Sequence, residues 1–304
     1  MSVTTRFVFK TNRFLWLAPS LLAGLGTSAE AGSLDAPKLF HIGPLVVTNS
    51  MVLCWVVAAF LILFAQIATR NIKEIPSGLQ NFWEWLVESL FNFLSGILGH
   101  KLTLRTFWFF ASIFIFILFN NWSALIPGVG SIGWGTPVDG QLHQLSHPLF
   151  RGAMADVNMT FGLAAIFFIL WFYWSITSNG PVGFFKHIFI YNGDTSGLLR
   201  LLLFLIFFVV GFLEVISIMI RPVTLTFRLY GNVFAGETLL DKMFVMGGNF
   251  GFLTALPFYG LELLVGIIQA LVFMLLTAVF TSLMCSHEGH DEHAEGDPHT
   301  ETAH

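Results

Sequence analysis

Arg228 is the residue in this chain that most demands a chemical explanation. It lies in the run Pro222-Val-Thr-Leu-Thr-Phe-Arg-Leu-Tyr-Gly-Asn-Val-Phe-Ala-Gly-Glu237, whose other residues are mostly apolar or small. A guanidinium does not release its proton, so at membrane depth it requires a counter-charge or a water-filled cavity. Glu214, Arg221 and Arg228 follow one another at steps of seven residues, two helical turns or about 10 Å, which keeps all three close to one helix face. Asn232 joins them one turn after Arg228, and Glu262 and Gln269 repeat the seven-residue step on the next apolar segment. Acid, amide and arginine on facing membrane helices point to a hydrated ion path, because such groups are costly in hydrocarbon. Asn232 taken alone also fits ordinary interhelical hydrogen bonding.

The elements that must hold these groups follow from composition. The chain has 304 residues, of which 55% are hydrophobic and 11% charged, with 35 Phe; its mean hydropathy is +0.76. This is an integral membrane protein. The formal net charge of -4 offers no basic surface, which argues against nucleic acid as a partner and directs the search to the bilayer. Cys54 and Cys285 are too few for a disulfide framework and fit no metal-ligand spacing.

A span needs about 20 apolar residues, and runs of that kind are predicted at 47–68, 106–126, 157–177, 198–240 and 252–284. The fold class is therefore an all-α polytopic membrane protein with about five membrane helices. Residues 198–240 as one helix would reach about 64 Å, roughly twice the hydrocarbon thickness. That unit and the next must be strongly tilted, and together they form a hairpin. Pro222 predicts a kink, and Gly231 and Gly236 allow close approach by a neighbouring helix. Between the first two spans, Ile75 to Leu98 carries Phe82, Trp85, Leu86, Leu90, Phe93, Leu94 and Ile97 at helical spacing, opposite Glu84, Glu88 and Asn92. This predicts an amphipathic helix lying along the membrane interface.

Arg70, Lys73, Lys101 and Arg105 lie in the connection 69–105, whereas the loop 127–156 holds only Arg151. The positive-inside bias assigns 69–105 to the cytoplasm, with the N-terminus outside and the C-terminus inside. Arg6, Lys10 and Arg13, then the apolar block Phe14 to Gly26, then Ala29-Glu30-Ala31 match a secretory signal peptide over 1–31; an uncleaved surface segment and an organellar presequence are the alternatives. Residues 32–46 then form an extracytoplasmic segment and 47–284 the membrane domain. The tail 285–304, rich in His and acid, reads as solvated and disordered rather than metal-binding.

The run from Pro222 to Glu237, with Gln269-Ala-Leu-Val-Phe-Met-Leu-Leu-Thr277, resembles the signature of subunit a of F-type ATP synthases. Ala155-Asp-Val-Asn-Met-Thr160 resembles that family as well, as do the helix count and topology. The resemblance implies that Arg228 is the essential coupling arginine, Asn232 its polar neighbour and Gln269 the amide facing it. It implies that Glu237 and Glu262 form the acid pair of one proton half-channel, where many members have one histidine, and that Glu214 is the acid of the other. Arg221 matches a position that is often basic. The implied partners are a rotating c-subunit ring, the b-subunit stator stalk, the remaining ATP synthase subunits and membrane lipid, in a bacterial inner membrane; no cofactor and no metal are implied. The implied work is coupling of proton flow to rotation and ATP synthesis.

A secondary transporter or channel holding an anion at Arg228 is the rival reading, weakened by the lack of an internal repeat. An intramembrane hydrolase fits less well, since Gly-x-Ser-x-Gly, zinc and phosphate-loop motifs do not occur.

Overall fold

Long apolar runs leave the backbone no partner but itself, and helices satisfy it without leaving the segment. A computed structural model describes residues 38–42, 45–70, 72–126, 129, 132–134, 147–189 and 198–285. Within them run α1 (Asn49–Thr69), α2 (Leu79–Leu98), α3 (His100–Ala124), α4 (Val157–Phe189), α5 (Leu198–Met246) and α6 (Gly251–Cys285). All but α2 are long and apolar enough to cross a membrane. The protein is thus a multi-pass, all-α membrane protein. The expected signal segment 1–31 and the tail beyond Cys285 lie outside the described residues.

Two features add to the expected helices. Strands β1 (Lys38–Ile42) and β2 (Leu45–Thr48) pair antiparallel just before α1, and β3 (Gly133–Trp134) pairs with β4 (His147–Pro148) in the loop between α3 and α4. Helix boundaries also shift. α3 starts at His100, earlier than the hydropathy run, because Lys101 and Arg105 ride on its exposed side while Thr103 and Thr106 are buried. The hydroxyls of those threonines donate to the carbonyls of Gly99 and Leu102 at 2.8 and 2.9 Å, so they enter the interior satisfied.

A sharp backbone break falls in α4. Gly180 adopts φ 69°, a left-handed conformation that favours glycine, immediately before Pro181. α5 instead continues through Pro222 for 49 residues, about 74 Å of helix, and α6 returns beside it after a 3-10 turn at Gly248–Phe250.

The core lies between α3, α4 and α6, where Phe110, Phe167, Trp171, Phe273 and Met274 are almost fully buried. α2 contributes Leu90, Leu94 and Leu98. Its apolar stripe divides: Leu86, Leu90, Leu94 and Ile97 turn inward, whereas Phe82, Trp85 and Phe93 are exposed on its flank. The α3–α6 contact is pinned by Asn121 Nδ2 donating to the Gly266 carbonyl and Trp122 Nε1 to that of Leu263, each at 3.3 Å.

At the start of α1, the Ser50 hydroxyl donates to Asp156 Oδ2 at 2.6 Å, with both residues buried. Asp156 Oδ1 accepts from the Asn158 backbone N–H at 3.0 Å, which fixes the first turn of α4. Asp156→Ala leaves the Ser50 hydroxyl buried without this acceptor and is expected to cost about 1.5–3 kcal/mol. The measurement is the temperature at which the subunit leaves the purified complex on heating. An unchanged temperature would show that the bond contributes no net stability.

Candidate functional site

The site is built on the α5/α6 hairpin. Helical periodicity puts Arg228 and Asn232 one turn apart on α5, and Glu262 and Gln269 two turns apart on α6. The Asn232 amide donates to Gln269 Oε1 at 2.5 Å, joining the two helices. Close approach comes from Gly236: a Cβ there would collide with the Glu262 carboxyl, so the missing side chain is what admits the acid. Gly231 faces open space, with no neighbour among the described residues.

Asn232, Glu237, Glu262 and Gln269 line a common cavity of about 10 Å³, together with Asn121 of α3. That volume is about one water probe. Two buried polar atoms on its wall lack partners among the described residues, the donor Gln269 Nε2 and the acceptor Asn121 Oδ1. A polar cavity with orphaned donor and acceptor groups is the kind of site that holds water. Glu262 is 8% exposed, and Glu237 is partly buried.

On the N-terminal side of Arg228 the surface differs. A groove of about 410 Å³ is lined by Arg221, Arg228, Ser217, Thr224 and apolar residues of both helices, with no acid on its walls among the described residues. Arg221 is partly buried, with its guanidinium carbon 4.3 Å from the Phe280 ring centroid and 5.9 Å from that of Trp171. Glu214 lies two turns before it on α5. The aromatic faces hold the cation while leaving its hydrogen-bond donors available. Arg228 is exposed.

Five of the six residues singled out from sequence thus fall in two neighbouring places. Asn232, Glu237, Glu262 and Gln269 share the cavity; Arg228 lines the groove one turn away, and Glu214 lies on α5 two turns before Arg221, on the wall of neither. Sequence reasoning missed Asn121 as a wall residue. Its signal was available, an amide in an apolar helix, but only the α3–α6 packing reveals what it faces. Gly152 was missed as well: a Cβ there would strike Glu237 Oε1, which brings the turn before α4 against the acid pair.

Residues 51–282 match the family described as ATP synthase A chain. Curated proteins named ATP synthase subunit a are similar over nearly the full length. One from Gloeobacter violaceus is 30% identical over 275 residues, covering 90% of this chain and 98% of that protein. One from Desulforamulus reducens is 33% identical, covering 84% and 86% respectively. A third, from Trichlorobacter lovleyi, is 34% identical, covering 82% and 91%. With the five apolar helices and the hairpin that joins Asn232 to Gln269, this extent of similarity establishes that the chain belongs to the ATP synthase subunit a family.

Proposed function

We propose that this chain is the proton-translocating subunit of the membrane sector of an F-type ATP synthase, with two half-channels that meet at Arg228. The observation that carries the reading is Arg228 itself, exposed on a groove whose described walls hold two arginines and no acid. A cation in that position calls for a counter-charge or water, and this reading assigns it a carboxylate from a neighbouring chain. A ring of small hairpin subunits, each with one carboxyl, supplies it.

Each ring carboxyl crosses lipid protonated and neutral, because a bare carboxylate is too costly there. Opposite Arg228 the ionised form is favoured and the proton leaves. The fixed positive charge repels a proton hopping directly between half-channels, so transfer requires rotation. Each charge crossing the membrane gains about 2.3 kcal/mol per 100 mV, the source of the torque. Asn232, Glu237, Glu262 and Gln269 line the path on one side, and Glu214 with Arg221 the path on the other. The positive-inside bias supports assigning the acid pair to the outer half-channel and Glu214 to the cytoplasmic one. It also supports an external N-terminus and a cytoplasmic C-terminus in a bacterial inner membrane, after removal of the segment 1–31. The ring and the stator stalk are the direct partners.

Cross-linking tests the docking face. Phe227, 57% exposed next to Arg228, is replaced by Cys in membranes that carry this chain in place of their own subunit a. Phe227→Cys is expected to form an oxidative cross-link with ring subunits bearing a cysteine beside their carboxyl, while Leu94→Cys, at a core position, forms none. Absence of the Phe227→Cys product in assembled complexes that pump protons would put the ring on another face.

A further inference from the structure

The acid pair is covered by a part of the chain outside the hairpin. Gly152 is buried, and a Cβ on it would strike Glu237 Oε1 and come within 2.9 Å of the Ala124 Cβ at the end of α3. The residues that follow form a buried 3-10 turn, Ala153–Ala155, packed against α1, α3, α4 and α5. The backbone at Gly152 is therefore wedged between α3 and the Glu237 carboxyl. This brings the preceding residue, Arg151, into the same region, and its side chain is partly buried. The charged residues placed around the buried side of Glu237 are Arg151, next to the wedged Gly152, Asp241 one turn on along α5, and Glu262, which lines the same cavity. Two of them are acids. Lys242, the next residue along α5, is exposed.

Two carboxyls sharing one small cavity do not ionise together readily, and a third acid one turn away makes a second negative charge costlier still. A cation held over the pair offsets this. A guanidinium suits the place, since it stays charged and presents a planar fork to a carboxylate.

We propose that Arg151 is a positioning residue for the Glu237/Glu262 pair, holding one negative charge there so that the pair can accept and release a single proton. Gly152 makes this possible because no side chain of its own displaces the carboxyl. The inference rests on the proton path proposed above and adds to it a group from the connecting loop. Removing the cation favours the protonated pair, so discharge toward the outer side stops at a less acidic pH.

The test uses the whole complex in inverted vesicles, with the lumen, which is the former outer side, buffered over a range of pH and ATP-driven proton uptake recorded. In Arg151→Gln, uptake is expected to fail at a lumen pH higher by about one unit or more, with ATP hydrolysis by the detached catalytic sector unchanged. Arg151→Lys is expected to recover most of the displacement. Asp241→Asn, which removes a neighbouring acid, is expected to move the profile the opposite way, and it serves as the deciding variant should Arg151→Gln not assemble. Coincident profiles for the assembled variants and the unsubstituted chain would overturn the role of Arg151 alone. No uptake by the unsubstituted chain at any lumen pH would overturn the proton-translocation reading, and this inference with it.

Discussion

Arg228→Ala is expected to give an assembled complex whose ATP-driven proton pumping falls to the background of vesicles lacking the complex. The expectation follows from the groove: Arg228 is exposed there beside Arg221, and among the described residues no acid lines it. Packing within the subunit therefore does not depend on its charge. What depends on it, under the proposed function, is the encounter with a ring carboxyl, which without the cation has no reason to ionise in an apolar setting. Arg228→Lys should also pump poorly, because an ammonium enclosed between the hairpin and the proposed ring can lose its proton and lacks the planar fork. Arg221, stacked on Phe280 two turns away, is held by those aromatic contacts and does not substitute. The measurement is fluorescence quenching of a pH-sensitive dye in inverted vesicles, with subunit content checked in the same membranes. Unchanged pumping by an assembled Arg228→Ala complex would make the arginine structural and overturn the coupling mechanism.

The second large effect concerns the acid pair. Glu237→Gln combined with Glu262→Gln is expected to reduce passive proton conduction through the membrane sector by at least about 10²-fold, the scale on which a positioned acid or base contributes to proton transfer. Each single replacement should cost much less than the double, because both side chains line one cavity and the remaining carboxyl still reaches it. Such grouped residues act as a unit, and their effects are not additive. Glutamine keeps the shape and polarity of the wall, so the comparison isolates the titratable group. Conduction by the double variant at the unsubstituted rate would remove the pair from the path.

Much of this architecture was legible because hydrocarbon imposes simple rules on sequence. Apolar runs of membrane length announce helices, and runs well beyond that length announce helices that cannot stand upright. The seven-residue steps of Glu214, Arg221 and Arg228 likewise follow from helical geometry alone. Boundaries were less legible where charge and burial share a helix: Lys101 and Arg105 interrupt the hydropathy of α3 without interrupting the helix, since both lie on its exposed side. The β1/β2 pair was missed because its short strands carry no long periodic signal, although Gly43-Pro44 separates them in sequence. Pro222 sits inside the continuous α5, while Gly180-Pro181 supplied a break that the sequence reading did not single out. Residues brought to the site by tertiary packing were the hardest to foresee. Asn121 reaches the cavity only because α3 lies against α6, and Gly152 only because its turn is wedged beside Glu237.

The two bonds from Asn121 and Trp122 to α6 have a mechanical consequence. Under the proposed function a ring turning against the hairpin would apply a tangential load to it, and the subunit would have to stay still for that load to become useful work. Greasy surfaces slide past one another with little resistance, since the dispersion attraction given up at one place is recovered at the next. Directional bonds to the carbonyls of Leu263 and Gly266, three residues apart on α6, have no equivalent position until the helix has moved by a full turn. They act as detents. α3 would thereby brace α6 against axial slip, keeping the hairpin stiff under the load that the proposed function places on it.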